Sequence, residues 1–208
     1  MGENPSSFSK KENCPDDYLV LHIGIKVIGV CPNHPVESVS WKNVQSFINT
    51  VNLIADPSKK TKLYRLPTEA EWELAARGRD PKTGEVTTSA YSFGEYDENT
   101  LKEHAIFNAS QTARVGSKKL NPNGLYDVHG NVYNWVLDLY LKDDHTQAVS
   151  QEDGDKVQET LVQDGDPSRV LRGGSWGSTA RHLRSAARSD DGPLGSNAYV
   201  GFRLRKAQ

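Results

Sequence analysis

The chain has 208 residues, of which 36% are hydrophobic, with a mean hydropathy of −0.66 and a formal net charge of −2. That length fits one domain with a real core, and the near-neutral charge argues against a general binder of nucleic acid or anionic membranes. No apolar run approaches the roughly 20 residues of a membrane-spanning helix.

Met1 to Ser9 is polar and turn-like. Leu19 to Val30 is the most apolar segment; it follows Asp16-Asp17 and contains His22, Gly24 and Lys26, so it reads as a strand pair and not a signal peptide. Cys14 and Cys31 flank it, leaving two states open: a disulfide closing a hairpin, or two free thiols. Neither cysteine has a CxxC partner, which argues against metal binding through them.

Pro35 to Trp41 alternates as a short strand, with Ser40 as an N-cap. Trp41, Val44, Phe47, Ile48, Val51 and Leu53 recur at helical spacing, predicting an amphipathic helix that Asp56-Pro57-Ser58 ends. A second helix follows Leu66-Pro67. Thr68 and Glu71 form its capping box, and Trp72, Ala75 and Ala76 carry it to Gly78. Asp80 to Thr100 reads as turns, and Asn108 to Ser117 as a loop. Asn121 to Gly124 is a turn, Leu125-Tyr126-Asp127 opens the next element, and Val132 to Leu139 is a strand or short helix around Trp135. Residues 142–167 are acidic and polar, a surface insertion poorly suited to a core.

Ser168 to Trp176 and Gly201 to Leu204 each read as a short buried strand, with Gly173-Gly174 allowing close backbone approach. The 24 residues between them, Gly177 to Val200, hold no continuous apolar run. Two strands holding a polar, mostly irregular loop describe a scaffold that displays a surface. Trp176 is expected in the core beneath the loop, and Arg172 and Arg184 are expected to pin it through carbonyls and carboxylates. There is no internal repeat or interdomain linker. The expectation is a single domain over 1–208, with a displayed region at 177–200.

Four stretches in order carry a family resemblance: Tyr64-Arg-Leu-Pro-Thr-Glu-Ala-Glu-Trp-Glu-Leu-Ala-Ala-Arg-Gly78, Asn123-Gly-Leu-Tyr-Asp-Val-His-Gly-Asn-Val-Tyr-Asn-Trp135, Arg169-Val-Leu-Arg-Gly-Gly-Ser-Trp176 and Gly201-Phe-Arg203. The chain resembles the formylglycine-generating, or sulfatase-modifying-factor, family over Pro35 to Leu204. The resemblance implies an α+β, C-type-lectin-like fold of the formylglycine-generating-enzyme subtype, with two helices, small antiparallel sheets and much irregular structure. Gly2 to Ser6 resembles a stretch inside the family domain, implying that an N-terminal part of the domain is missing.

The family's enzymes bind copper through a cysteine pair just after the Gly-Gly-Ser-aromatic strand, since thiolates suit Cu(I). Here that place reads Gly177 to Leu183 and holds no cysteine, so formylglycine generation is not expected. The six histidines form no HxH or HxxxH pair; His129 reads as structural and His182 as a surface contact. No cofactor is required. The resemblance implies one candidate calcium site, with a carboxylate from Asp127, carbonyls from Gly130 and Val132, and Asn134 where an acid usually stands. A second family site would start at Asn108 and Ala109, but its loop lacks an acid.

Gly177 to Val200 also resembles the variable region of proteins diversified by retroelements, in which adenines are mutated. An AAC codon randomised at both adenines encodes every residue type except Lys, Glu, Gln, Met and Trp. The segment contains none of these, where average usage would place about four. The candidate ligand-binding positions are Gly177, Ser178, Thr179, Arg181, His182, Ala187, Ser189, Asp190, Asp191, Ser196, Asn197, Ala198 and Tyr199. Small, polar and aromatic side chains on a rigid frame make an adaptable surface. The reading is a non-catalytic, monomeric binding protein that recognises protein or cell-surface ligands from an extracellular or cell-surface position. The alternatives are an inactive family domain with a regulatory or structural role, and a metal-dependent oxidase.

Overall fold

The computed structural model describes residues 4–23, 26–58, 63–80, 82–141 and 165–206. The expected insertion at 142–167 lies almost wholly outside the described residues.

Helix α1 spans Trp41–Ala55. Ser40 caps it: its Oγ accepts from Asn43 N at 3.1 Å, and Asn43 Oδ1 accepts from Ser40 N at 3.2 Å. Trp41, Val44 and Ile48 are buried along one stripe, as their spacing requires. The predicted stripe errs at Leu53, which is 46% exposed. Asn52 holds the inward position instead, its side chain bonding both Tyr64 N and Tyr64 O at 2.8 Å. Helix α2, Glu69–Arg77, begins at the expected capping box: Thr68 Oγ1 accepts from Glu71 N at 3.2 Å, and Glu71 Oε2 accepts from Thr68 N at 3.0 Å.

A third helix, α3 (Glu98–His104), begins in the stretch expected to be turns, Asp80 to Thr100, and runs past its end. Asp97 caps it, and Leu101 is its one buried residue, so two turns offer no apolar period to read. The strand expected over Pro35 to Trp41 is reduced to a single bridge between Glu37 and Gly201, because Ser38 turns the chain with φ of 61°. No regular element opens at Leu125; the chain bends through Asp127 and Asn131, both at positive φ, before strand β4.

The strands are β1 (Leu19–Ile23), β2 (Lys26–Val30), β3 (Tyr64–Arg65), β4 (Tyr133–Leu139), β5 (Arg169–Arg172), β6 (Arg188–Asp191), β7 (Val200–Gly201) and β8 (Arg205–Lys206). β1 and β2 form the expected hairpin, and Cys14 is disulfide-bonded to Cys31 at its base, which resolves the two open states. β3 pairs with β8, and the main sheet runs β6-β5-β4-β7. β7 lies parallel to β4 while the other neighbours are antiparallel, so the sheet is mixed and not purely antiparallel. Ser168 to Trp176 is a strand only over β5, and Gly201 to Leu204 is not a continuous strand. It leaves the sheet at Phe202, and Leu204 is 37% exposed.

β4 is buried on both faces, as a central strand must be. Trp135 and Leu137 pack with Leu171 against Trp41, Val44 and Ile48 of α1. Val136 packs with Val170 against Trp72 and Ala76 of α2. Trp135 is fully buried and donates from Nε1 to Val39 O at 2.9 Å, so its truncation would cost about 3–5 kcal/mol. The sheet is thereby clamped between the two predicted helices, an α+β arrangement with long irregular connections.

Candidate functional site

β5 ends where Gly173 and Gly174 adopt φ of 92° and 75°. A Cβ on Gly173 would lie 2.9 Å from the Trp72 ring, and one on Gly174 would strike Leu183. Only glycine permits this close crossing. The chain then passes through Trp176 and a short 3₁₀ turn, Ala180–Leu183, before returning as β6. The segment is mostly irregular, as expected, but it is anchored within its length: β6 pairs along β5, and Leu183 is buried with Tyr91 and Leu101.

Arginines fasten it. Arg172 is fully buried, donates to Ala187 O and Glu73, and lies 3.3 Å from Glu69. Burial pulls its pKa below the ordinary guanidinium value, with Glu69 and Glu73 opposing that shift. Arg188 grips Glu69 through two bonds of 2.7 and 2.9 Å. Arg184 is exposed, and its Nε donates to Arg181 O at 2.9 Å. Arg184 thus pins a carbonyl of the segment, as expected, from an exposed position, while the buried fastening is made by Arg172 and Arg188.

On this frame lies a concavity of about 390 Å³. Its near wall carries Gly177, Ser178, Thr179 and His182, and its far wall carries Ser189, Asp190 and Asp191 of β6, with Asn197 and Tyr199 closing it. Arg181, Ala187, Ser196 and Ala198 lie outside the lining. Ser178 corrects the picture of an open surface position: it is buried, its Oγ accepting from Ser175 N at 3.0 Å. Tyr133, Leu171, Ser175 and Val200 also line the concavity. The sequence offered no sign of this, because these residues look like ordinary sheet and core positions.

Trp176 is not in the core. It is half-buried, donates from Nε1 to Ala198 O at 2.9 Å, and stacks on Tyr199 with ring centroids 4.5 Å apart. Phe8 meets it edge-on at 5.5 Å. His182 Nδ1 is 3.1 Å from Thr179 Oγ1, and Arg181 Nε approaches its Nε2 at 3.3 Å, so both residues sit at the rim.

Within the candidate calcium set, Asn134 already has protein partners. Asn134 Oδ1 accepts from Trp72 Nε1 at 3.0 Å and from Arg203 Nε at 2.7 Å. Arg203 also donates to Tyr126 O and Asp127 O at 3.2 and 3.0 Å. Of the candidate ligand oxygens, the guanidinium thus holds that of Asn134, together with two neighbouring backbone carbonyls. The Val132 carbonyl accepts from Asn134 Nδ2 at 3.2 Å, while Gly130 N bonds Gly173 O at 2.8 Å. Asp127 takes Gly116 N on one oxygen at 3.0 Å, and burial raises its pKa. At the place of the family's second site, which is not expected here, Asn108 N and Ala109 N donate to Ser178 O and Trp176 O at 3.1 and 2.8 Å, tying that loop to the displayed segment. Among the described residues no group of three His, Cys, Asp or Glu side chains could hold a metal ion.

His129 is buried between Tyr91 and Phe93. Its Nδ1 lies 2.7 Å from Leu183 O and its Nε2 accepts from Ser92 N at 3.1 Å, which fixes the neutral, Nδ1-protonated ring. Burial lowers its pKa to about 4. It is a strut between two loops.

A clamped mixed sheet displaying a polar concavity defines a C-type-lectin-like domain. The family model for the sulfatase-modifying factor enzyme 1-like domain matches residues 23–208, and the chain belongs to this family. It is 36% identical over 173 residues to the serine/threonine-protein kinase pkn1 of Chlamydia caviae, covering 83% of this chain and 24% of that one. It is 33% identical over 183 residues to the formylglycine-generating enzyme of Thermomonospora curvata, covering 83% and 55%. The chain therefore spans about a quarter and about half of these relatives' lengths. Among solved structures it is similar to Treponema denticola variable protein 1, with a TM-score of 0.71 and 27% identity over 98% of this chain and 77% of that one.

Proposed function

We propose that this protein is a non-catalytic binding protein, diversified by a retroelement, whose C-terminal concavity recognises protein or cell-surface ligands. The observation that carries the reading is convergence: most positions singled out by the resemblance to a variable region line one concavity on an arginine-fastened frame. The similarity to Treponema denticola variable protein 1 along nearly the whole chain supports it. The absence of family oxidase chemistry is supported by the residues at the copper-binding place, Gly177 to Leu183, and by the pairing of both cysteines elsewhere as a disulfide. That disulfide also suits an extracellular or cell-surface position.

Sequencing sibling copies and the neighbouring DNA tests the proposal. Copies should differ at the candidate positions between Gly177 and Tyr199 while Arg169 to Trp176 and Gly201 to Leu204 stay fixed, beside a reverse transcriptase and an adenine-differing template repeat. Invariant copies with no such element would refute it. A second reading, a regulatory or structural domain of a larger protein, draws on the similarity to a kinase of which this chain spans only 24%.

A further inference from the structure

We infer that the β1–β2 hairpin pairs with the hairpin of a second copy of this chain, β1 against β1, in an antiparallel dimer. The inference does not rest on the binding-surface reading above, and it departs from the monomer expected from the sequence. Among the described strands, β1 bonds to β2 alone. Ile23 and Lys26 flank a two-residue link, which makes theirs a hydrogen-bonded pair. Antiparallel pairs alternate, so Leu21–Ile28 and Leu19–Val30 also exchange bonds, while Val20–Gly29 and His22–Val27 do not. The Gly29 carbonyl accepts from Asn4 Nδ2 at 3.1 Å, as an outward-pointing group in this phase can. On the opposite edge, the N–H and C=O of Val20 and of His22 therefore point away from β2. No group among the described residues bonds them.

Folded proteins guard such an edge with charge or proline. β1 reads Leu-Val-Leu-His-Ile and carries no lysine, carboxylate or proline. Leu19, Val20, Leu21 and His22 are exposed, and so is Val27 beside them, at 63%. The four outward groups are symmetric about Leu21. A two-fold axis there sets Val20 of one copy opposite His22 of the other, and every outward group of both strands is bonded at once. Leu21 meets its own counterpart as a close, non-hydrogen-bonded pair on the face that walls an apolar cavity of about 410 Å³ with Ile28, Val30 and Phe47. Charge favours this direction. Antiparallel pairing brings the acidic lead-in Asp16-Asp17 of one copy towards the hairpin tip of the other, which carries Lys26; parallel pairing would set acid beside acid. The Cys14–Cys31 bond ties the base of the hairpin, so little conformational freedom is lost on pairing. Pairing consumes the open edge of each copy, and the assembly closes at two.

Sedimentation velocity on the full chain across the micromolar range tests this. The expected result is a mass that rises with concentration from 23.0 kDa to twice that value. Val20→Pro deletes an outward N–H and no bond to β2, a change that an edge strand accepts. Leu21→Lys sets two ammonium groups face to face across the axis. Each should weaken the dimer more than about tenfold, with far-ultraviolet circular dichroism unchanged. Val20→Pro carries the test alone if Leu21→Lys does not fold. A chain that stays at 23.0 kDa throughout would overturn the inference. So would a dimer that Val20→Pro leaves intact, which places the contact elsewhere, and so would growth beyond two copies.

Discussion

Tyr199 lies almost flat on Trp176, with ring planes 21° apart, because residue 177 has no side chain: a Cβ there would sit 2.7 Å from Tyr199 Cε1. The backbone at Gly177 is one that any residue adopts, so space alone excludes a larger residue. Gly177→Ala should push Tyr199 off the indole and reshape the rim of the concavity. Ring-proton shifts of Tyr199 and Trp176 report this directly, and the stability change should stay near 1 kcal/mol, the worth of an aromatic pair. Unchanged shifts would mean that the stack yields without separating. Positions 177 and 199 are thus coupled, so variation at one constrains the other.

Arg172 should be the most costly single frame residue. Its removal strands the Ala187 carbonyl and takes from Glu69 and Glu73 their one fully buried cation, leaving Arg188 on the first and Arg77 on the second. Arg172→Ala should lower the unfolding free energy by about 3–5 kcal/mol in denaturant titration, the usual cost of breaking a buried pair. A loss below 1 kcal/mol would show that Arg188 alone holds the segment.

The pH response follows from His129. Its folded-state pKa, about 4, lies below the ordinary value of 6.5, so the unfolded chain takes the proton first as pH falls. Its contribution is complete above pH 6.5 and is lost as pH falls towards 4, totalling about 3 kcal/mol. Unfolding titrations across that window should show the fall in the wild type, and His129→Gln, less stable at neutral pH, should lack it.

Reducing the Cys14–Cys31 bond, which spans a sequence separation of 17, should cost about 3 kcal/mol through the freed unfolded chain. The Cys14→Ser, Cys31→Ser double variant and a reductant-treated wild type should show the same loss by melting. Phe8 contacts Trp176 from the segment next to this bond, so the variant should also loosen the concavity's edge.

Both long helices were legible because caps and a 3.6-residue apolar period are local signals. Even so, the period could not reveal that Asn52, not Leu53, faces inward, since the reason is a hydrogen bond to Tyr64. The short α3 helix, the parallel β4–β7 pair and the edge strand β6 depend on contacts distant in sequence and leave no local pattern. The concavity was legible in residue type but not in shape. Ser178 and Tyr199 look alike as small-loop and aromatic candidates, yet one is buried frame and the other exposed wall. Asn134 shows the same gap: a motif position implies a ligand, and only the approach of Arg203 reveals the cation already there.

Because β5 and β7 bond opposite sides of β4, the two ends of the displayed segment are fixed about two strand spacings, roughly 10 Å, apart. β6 then splits the intervening chain into two short spans, each anchored at both ends. Closing two short spans costs the frame little and leaves little disorder to lose when a partner arrives. The register is held by Leu183 and Arg188 from within the segment, so exchange of the residues around them need not disturb it.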